Sequence, residues 1–277
     1  ADEDYVYSRI PQRQPDAHKT STGKLLNIAG GIGCTGAAVL SSTAAMRSGA
    51  GYVVTGVPQA IYPIIAPSLV QSPFCFIETA ADVAGALTGA SAIAIGCGMG
   101  TGQRQRGILE EVLYLAKCPV VIDADGINNL AMDISIVADA KCPVILTPHF
   151  GEMAKICRTS VSEIQKAPLL CAQELAAQLK ATIVLKGAHT IISSPDGSTF
   201  INQTGNPGLA KAGSGDVLTG ILASLISQGM PPFEAAVCAV YLHGAAADRC
   251  IERMSEYFMQ PDDILIDLGR LLKEHIR

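Results

Sequence analysis

From Lys24 onward the chain alternates short apolar runs with longer segments in which apolar residues recur every three or four positions. The short runs are bounded by Gly, Pro or Asp and read as buried strands: Lys24–Ala29, Gly51–Gly56, Ser91–Ile95, Pro119–Ile122, Val144–Leu146 and Thr182–Leu185. Helical spacing fills Ala37–Ser48, Gln103–Ala116 and Ser160–Leu179. Ile61–Val70 is apolar but holds two prolines, so a short helix and an extended piece both stay open. Ala80–Leu87 is a weak helix of small residues. Ile191–Ser193 and Ser198–Ile201 flank the turn SPDG and predict an antiparallel hairpin. Val217, Leu218, Ile221, Leu222, Leu225 and Ile226 mark one further apolar helix, and Pro232–Met254 and Leu265–Lys273 close the chain as covering helices.

Strands that alternate with helices predict an α/β fold with a mainly parallel central sheet and helices on both faces. No linker-like stretch interrupts the alternation, so residues 1–277 are expected to form one domain. Residues 1–23 are polar and irregular and read as an arm lying on its body.

Composition narrows the partners. The chain has 277 residues, 49% hydrophobic and 16% charged, which is ample for one large core. A net charge of −5, with no basic run and no Trp, argues against nucleic acid. Any nucleotide must therefore be held by local geometry. Nine scattered cysteines with no C-x-x-C pair fit reduced thiols. The opening stretch is polar and carries no apolar h-region, and no run approaches the roughly 20 apolar residues that span a membrane. A cytoplasmic protein without a membrane partner is expected.

The candidate chemistry lies where apolar runs end. Asn202–Gln228 reads NQTGNPGLAKAGSGDVLTGILASLISQ: a loop, the glycine turn Gly213-Ser214-Gly215-Asp216, then an apolar helix. The first N–H groups of a helix lack internal partners and carry the positive end of the macrodipole. Glycines let a phosphate approach them. Asp216 is either a helix-stabilising acid or a general base for a hydroxyl that attacks a bound phosphoryl group.

Gly31, Gly33 and Gly36 satisfy G-x-G-x-x-G after a strand, yet no acid follows before Glu78, which opposes a dinucleotide (Rossmann) site. Gly96-Cys97-Gly98-Met99-Gly100-Thr101-Gly102 suits close backbone approach to a ligand at a strand end. Asp123 and Asp125, two apart past a strand, suit either a capped helix start or a Mg²⁺ pair. His149 lies on the Pro-containing turn Thr147-Pro148-His149, and Glu152 either caps a helix or joins a metal-linked water network. Lys186, before a glycine turn, is either a surface lysine or a point charge for a phosphate. His243 faces small residues and reads as packing.

The string NPGLAKAGSGDVLTG resembles the signature of the NAD(P)H-hydrate dehydratase family, part of the ribokinase-like superfamily, in which a GxGD turn supplies the anion hole and the base. The likeness extends to the His18-Lys19 pair, GGIGCTGAAVLSSTAAMRSGAG, DADGxN, TPHxGE and KGxxT, and so covers nearly the whole chain. It implies a ribokinase-like fold and repair of hydrated NADH or NADPH by phosphorylation of the ring hydroxyl and loss of phosphate, a hydro-lyase activity. It implies that Asp216 is the base and that Ala37, Gly100, Asp123, Asn128, His149 and Asp216 line the hydrated-cofactor site. Lys186, Gly187, Ala188, His189, Thr190, Asn206, Gly213, Ser214 and Gly215 would hold the nucleotide. Mg²⁺ is an expected cofactor. Resemblance to the stand-alone bacterial form favours ADP over ATP as donor and suggests a homotetramer. Two other readings share the GSGD turn: a kinase of the same superfamily for a small alcohol or vitamin, and a non-catalytic nucleotide sensor, which has no need of Asp216 as a base.

Overall fold

The computed structural model describes residues 2–19 and 21–275. One nine-stranded sheet runs through it: β1 (Lys24–Ile28), β2 (Tyr52–Val57), β3 (Phe74–Phe76), β4 (Ala92–Ile95), β5 (Val120–Ile122), β6 (Val144–Leu146), β7 (Thr182–Leu185), β8 (Ile191–Ser193) and β9 (Thr199–Ile201). The order across the sheet is β3-β2-β1-β4-β5-β6-β7-β8-β9. All neighbours from β3 to β7 are parallel, and the expected hairpin adds β8 and β9 antiparallel. The α/β expectation holds.

Each residue of β4, β5, β6 and β7 is buried, as a strand covered on both faces requires. Successive side chains point to opposite faces. Leu25, Ala92, Ala94 and Val121 join the core that includes helices Ser214–Ser227 and Pro232–Cys250. Leu26, Ile93, Ile95, Val120 and Ile122 join the opposite core, with helices Gln103–Leu115 and Pro168–Leu179. Because β1 sits between β2 and β4, strand order reverses there, and the loops after β1 and β4 leave the carboxyl edge side by side, where ligands of open α/β sheets bind.

Several expectations need correction. The segment 160–179 is two helices, Val161–Lys166 and Pro168–Leu179. Ala167 breaks them, with φ −146° and ψ 59°, because the residue before a proline is pushed out of the helical region. β3 is a three-residue edge strand, too short for its period to register. Two other readings hold: Ile61–Val70 takes the helical alternative, as short turns with Tyr62–Ile65 at its centre, and the weak helix expected at 80–87 is one such turn followed by Val83–Ala86. The helix from Pro232 stops at Cys250. The arm is not irregular throughout: Glu3–Tyr7 is helical, capped by Asp2, and buries Val6, and Ile10 beyond it joins the same core. Ala1 and Thr20 of that arm lie outside the described residues.

Candidate active site at the carboxyl edge

The site grows around Asp123, the first residue after β5. Its side chain is 1% exposed. Ala124 then takes φ 49° and ψ −116°, a sparsely populated conformation that turns the chain abruptly into helix Asp125–Leu130. Asp123 Oδ1 accepts from Lys186 Nζ at 2.6 Å, and Oδ2 accepts from Thr219 Oγ1 at 2.8 Å and from Cys97 Sγ at 3.8 Å. Four separate elements thus meet at one carboxylate. Burial alone would raise its pKa. The Lys186 ammonium and hydrogen bonds from Lys186, Thr147 and Thr219 outweigh burial and hold Asp123 below the ordinary carboxylate value. Burial would likewise lower Lys186, but the carboxylates of Asp123 and Glu152 hold it above the ordinary lysine value. Both partners of the pair therefore stay charged. Lys186 is no plain surface lysine.

Above this pair lies the glycine turn. Gly213 caps helix Ser214–Ser227 with φ 99°, a left-handed conformation that favours glycine. A Cβ on Gly215 would lie 3.3 Å from Lys186 Nζ and 3.6 Å from Asp123 Oδ2, so the ammonium sits directly beside the turn. Asp216 stands in the first turn of the helix. Burial, and then the charge of Asp123, push its pKa from 3.8 up to about 6. The Cys97 sulfur and oxygens of Asp123 and Asp216 lie within 4.8 Å of one another. Burial and these two carboxylates push the Cys97 thiol well above its ordinary value, so it stays protonated. Two buried atoms at the turn, Ser214 Oγ and His243 Nε2, have no hydrogen-bond partner among the described residues. His243 is tied to the Ser214 backbone, and burial lowers it to about 4, so its ring is neutral.

The other expected residues separate into groups. Ala37 meets the β4 loop, since a Cβ on Gly98 would lie 2.8 Å from that of Ala37. Gly100 is fixed from helix Asp125–Leu130: its N–H donates to Asp125 Oδ2 at 2.9 Å and its carbonyl accepts from Asn129 Nδ2 at 3.0 Å. Asp123 and Asp125 thus face different partners: one holds Lys186 and the other holds the Gly100 loop. Asn128 accepts from Lys155 Nζ at 2.8 Å and stands outside the Asp123 hydrogen bonds. His149 caps helix Phe150–Ile156: its Nδ1 accepts from the Gly151 and Glu152 N–H groups, while Glu152 accepts from the His149 N–H. The His149 ring is exposed, and its Nε2 lies 3.5 Å from Glu152 Oε1. Glu152 is buried, and burial raises its pKa against the pull of Lys186. His149 and Lys186 are bridged by backbone pairing, so the β6 and β7 ends abut.

Gly187, Ala188 and His189 are exposed beside Lys186, and Thr190 folds its hydroxyl back onto the Gly187 carbonyl at 3.1 Å. Asn206 is engaged elsewhere: Nδ2 donates to Asp248 Oδ1 at 3.1 Å and Oδ1 accepts from the Gly208 N–H at 3.0 Å. The sequence does not single out Cys97 or Thr219 as partners of Asp123. Thr219 had one faint signal, a hydroxyl on the buried stripe of an apolar helix.

The model of the NAD(P)H-hydrate dehydratase family matches residues 25–269. The chain belongs to that family. Among its members, the ADP-dependent (S)-NAD(P)H-hydrate dehydratase of Neisseria meningitidis is 41% identical over 240 residues, covering 85% of this chain and 80% of the relative. A crystal structure of the ADP/ATP-dependent NAD(P)H-hydrate dehydratase from Bacillus subtilis, co-crystallised with ATP and Mg²⁺, superposes with a TM-score of 0.89 at 35% identity, covering 99% of this chain and 97% of that one. A ribokinase-like superfamily protein from Enterococcus faecalis gives a TM-score of 0.89 at 28% identity, covering 99% and 95% of the two chains. The fold is thus the ribokinase-like one that the resemblance implied. The chain spans about half the length of the bifunctional NAD(P)H-hydrate repair enzymes that it also matches, such as that of Moorella thermoacetica, of which it covers 52%. Among the described residues no helix is long and apolar enough to cross a membrane.

Proposed function

We propose that this dehydratase-family chain converts (S)-NAD(P)H hydrate back to NAD(P)H with ADP as phosphoryl donor. The observation that carries the reading is Asp216: a carboxylate with a pKa of about 6, in the first turn of a helix whose glycine turn lies against the Lys186 ammonium. A general base works best when its pKa lies near the working pH.

In this reading Ala37, Gly100 and His149 hold the hydrated cofactor. Lys186 to Thr190 and the turn Gly213–Gly215 hold the nucleotide. Asp216 takes the hydroxyl proton as that oxygen attacks the terminal phosphorus, and the bond from phosphorus to the nucleotide breaks, releasing AMP. Phosphate is a better leaving group than water. It departs with the C–O electron pair, and loss of a proton from the adjoining carbon restores the ring double bond. The turn N–H groups stabilise charge on the transferring phosphoryl group. Asp123 acts behind Lys186, since both its oxygens are already engaged.

Mg²⁺ fits this site through the nucleotide. Of the three clustered donors, Asp123 is paired with Lys186, and the Cys97 thiol is protonated and too soft for this ion. That leaves the Asp216 carboxylate free to act as the base, so Mg²⁺ would be held chiefly by the phosphate oxygens of the nucleotide, with waters completing its shell. When bound it neutralises phosphate charge. The reading also takes residues 1–277 as one cytoplasmic domain in a homotetramer, which sedimentation of the purified protein checks.

The test is recovery of absorbance at the NADH band from purified hydrated NADH with Mg²⁺ and either ADP or ATP. Recovery with ADP, lost in Asp216→Asn, is the expected result. A stable phosphorylated alcohol without recovery would establish the superfamily-kinase reading instead. Nucleotide binding with no turnover at all would leave the sensor reading.

A further inference from the structure

Helix Pro232–Cys250 lies along the loop that feeds the glycine turn, and it touches that loop at successive points. The Tyr241 carbonyl accepts from Thr204 Oγ1 at 2.9 Å. At Gly244 the two backbones meet: a Cβ there would lie 2.6 Å from the Thr204 carbonyl oxygen. Asp248 takes the next two donors, the Gly205 N–H at 2.7 Å on Oδ2 and Asn206 Nδ2 at 3.1 Å on Oδ1. Asn206 passes the constraint on, because its Oδ1 accepts from the Gly208 N–H at 3.0 Å and caps the turn Pro207–Leu209. Lys211 then donates to the Tyr257 and Met259 carbonyls, at 2.7 and 2.5 Å, and the chain enters the turn at Gly213. His243 on the same helix is tied to the Ser214 backbone beyond it.

We propose that Asn206 and Asp248 form a positioning pair that fixes the 204–213 loop, and through it the glycine turn, and that the Asn206 side chain does not itself touch the nucleotide. The nucleotide clause rests on the function proposed above. Both ends of the Asn206 amide are engaged by the protein. A carboxylate that accepts from a backbone N–H and a carboxamide makes charge-assisted bonds, roughly twice as strong as neutral ones. Such an anchor sets a backbone path that glycines at 205, 208 and 213 would otherwise leave loose.

The pair can be exchanged without changing its bonding. In N206D/D248N the new carboxamide at 248 accepts from the Gly205 N–H and donates to the new carboxylate at 206, which still accepts from the Gly208 N–H. Each single variant breaks the scheme: D248N sets two amide donors face to face, and N206D sets two carboxylates face to face.

The experiment compares wild type, N206D, D248N and the exchange by ADP titration calorimetry, by KM for ADP and kcat, and by hydrogen exchange of residues 203–213. Each single variant is expected to weaken ADP binding roughly tenfold and to lose amide protection in the loop, with the exchange restoring both to within about threefold. An exchange variant that regains loop protection but binds ADP no better than N206D would show that the Asn206 amide contacts the nucleotide and would overturn the proposal. So would D248N with wild-type loop protection. Wild-type protein that fails to bind ADP would instead sink the proposed function, and the exchange data would still decide whether the pair positions the loop.

Discussion

Two glycine turns feed two helices that pack on each other, and they were built for different work. The first, Gly30–Gly36, leads into helix Thr35–Arg47; the second, Gly213–Gly215, leads into helix Ser214–Ser227. Neither helix has a side-chain cap hydrogen bond, and each turn holds a glycine with positive φ, 88° at Gly33 and 99° at Gly213. The first turn is packed at Gly30 and Gly31 but open on its outer side: a Cβ on Gly33 or Gly36 would meet nothing within 4 Å, and Ile32 is 89% exposed. No acid lies in its helix's first turn. The second turn carries Asp216 and stands against Lys186 and Asp123. The first therefore reads as a neutral platform open to a ligand, and the second as a charged reaction centre. A glycine motif specifies how close a ligand may come; what lies behind the turn decides the chemistry.

The largest contrast should appear on removing the base. Asp216→Asn is expected to lower kcat by about 10²–10⁴-fold, the usual contribution of a general base. Affinity for ADP should change little. Absorbance recovery and calorimetry measure the two quantities. A mutant that retains near-normal kcat would erase the distinction between the turns.

The second contrast concerns the charge behind the turn. Lys186→Met strands Asp123, which is 1% exposed, and breaking a buried pair by deleting one partner typically costs about 3–5 kcal/mol. Urea unfolding at pH 7 should show a loss of that order, and adding Asp123→Asn should recover most of it. The folded-state pKa of Asp123 lies below its ordinary value, so the stability it contributes is present above about pH 4 and is lost below it. The Lys186→Met defect should shrink in the same acid range. No recovery in the double variant would mean that Lys186 stabilises by packing and not by charge.

These contrasts also explain what the sequence revealed. GSGD is legible because turn, carboxylate and helix start are contiguous. The parallel strands are legible because burial on both faces leaves uninterrupted apolar runs. Cys97, Thr219 and Lys186 converge on Asp123 from separate elements, and no spacing in the chain announces such a meeting. The spacing of Asp123 and Asp125 left a metal pair and a helix start both open, and it does not show that Ala124, at φ 49°, turns the two side chains to different partners. The apolar period runs across Pro168 unbroken, so it implied one helix where a pre-proline residue made two.

A third test separates two neighbouring carboxylates by pH. Asp216 is raised from 3.8 to about 6, so the folded state binds more protons than the unfolded state between those values, and stability falls as pH rises through that window. A shift of roughly two units corresponds to at most about 3 kcal/mol. Asp216→Asn should therefore be more stable than wild type at pH 7, with the advantage vanishing near pH 4. The wild-type kcat/KM should rise with pH through about 6, as the base ionises. Equal thermal stability of the two proteins at pH 4 and pH 7 would remove the electrostatic account.

The smallest effects bring the comparison back to the glycines. Gly213→Ala forces a side chain into φ 99° and sets its Cβ 2.6 Å from Leu40 Cδ1. Leu40 can swing aside, so backbone strain of about 1–3 kcal/mol should dominate the loss. Gly36→Ala has the opposite sign. Gly36 is helical and meets no neighbour, so alanine should stabilise by about 0.4–1 kcal/mol through the unfolded chain. If the first turn is a platform for the hydrated cofactor, that same methyl group enters the space the ligand needs. Gly36→Ala should then melt higher, keep its kcat, and show a raised KM for the hydrate alone. A higher melting point with an unchanged KM would mean that the open space above Gly36 is scaffold, and the platform would have to be sought nearer Gly100.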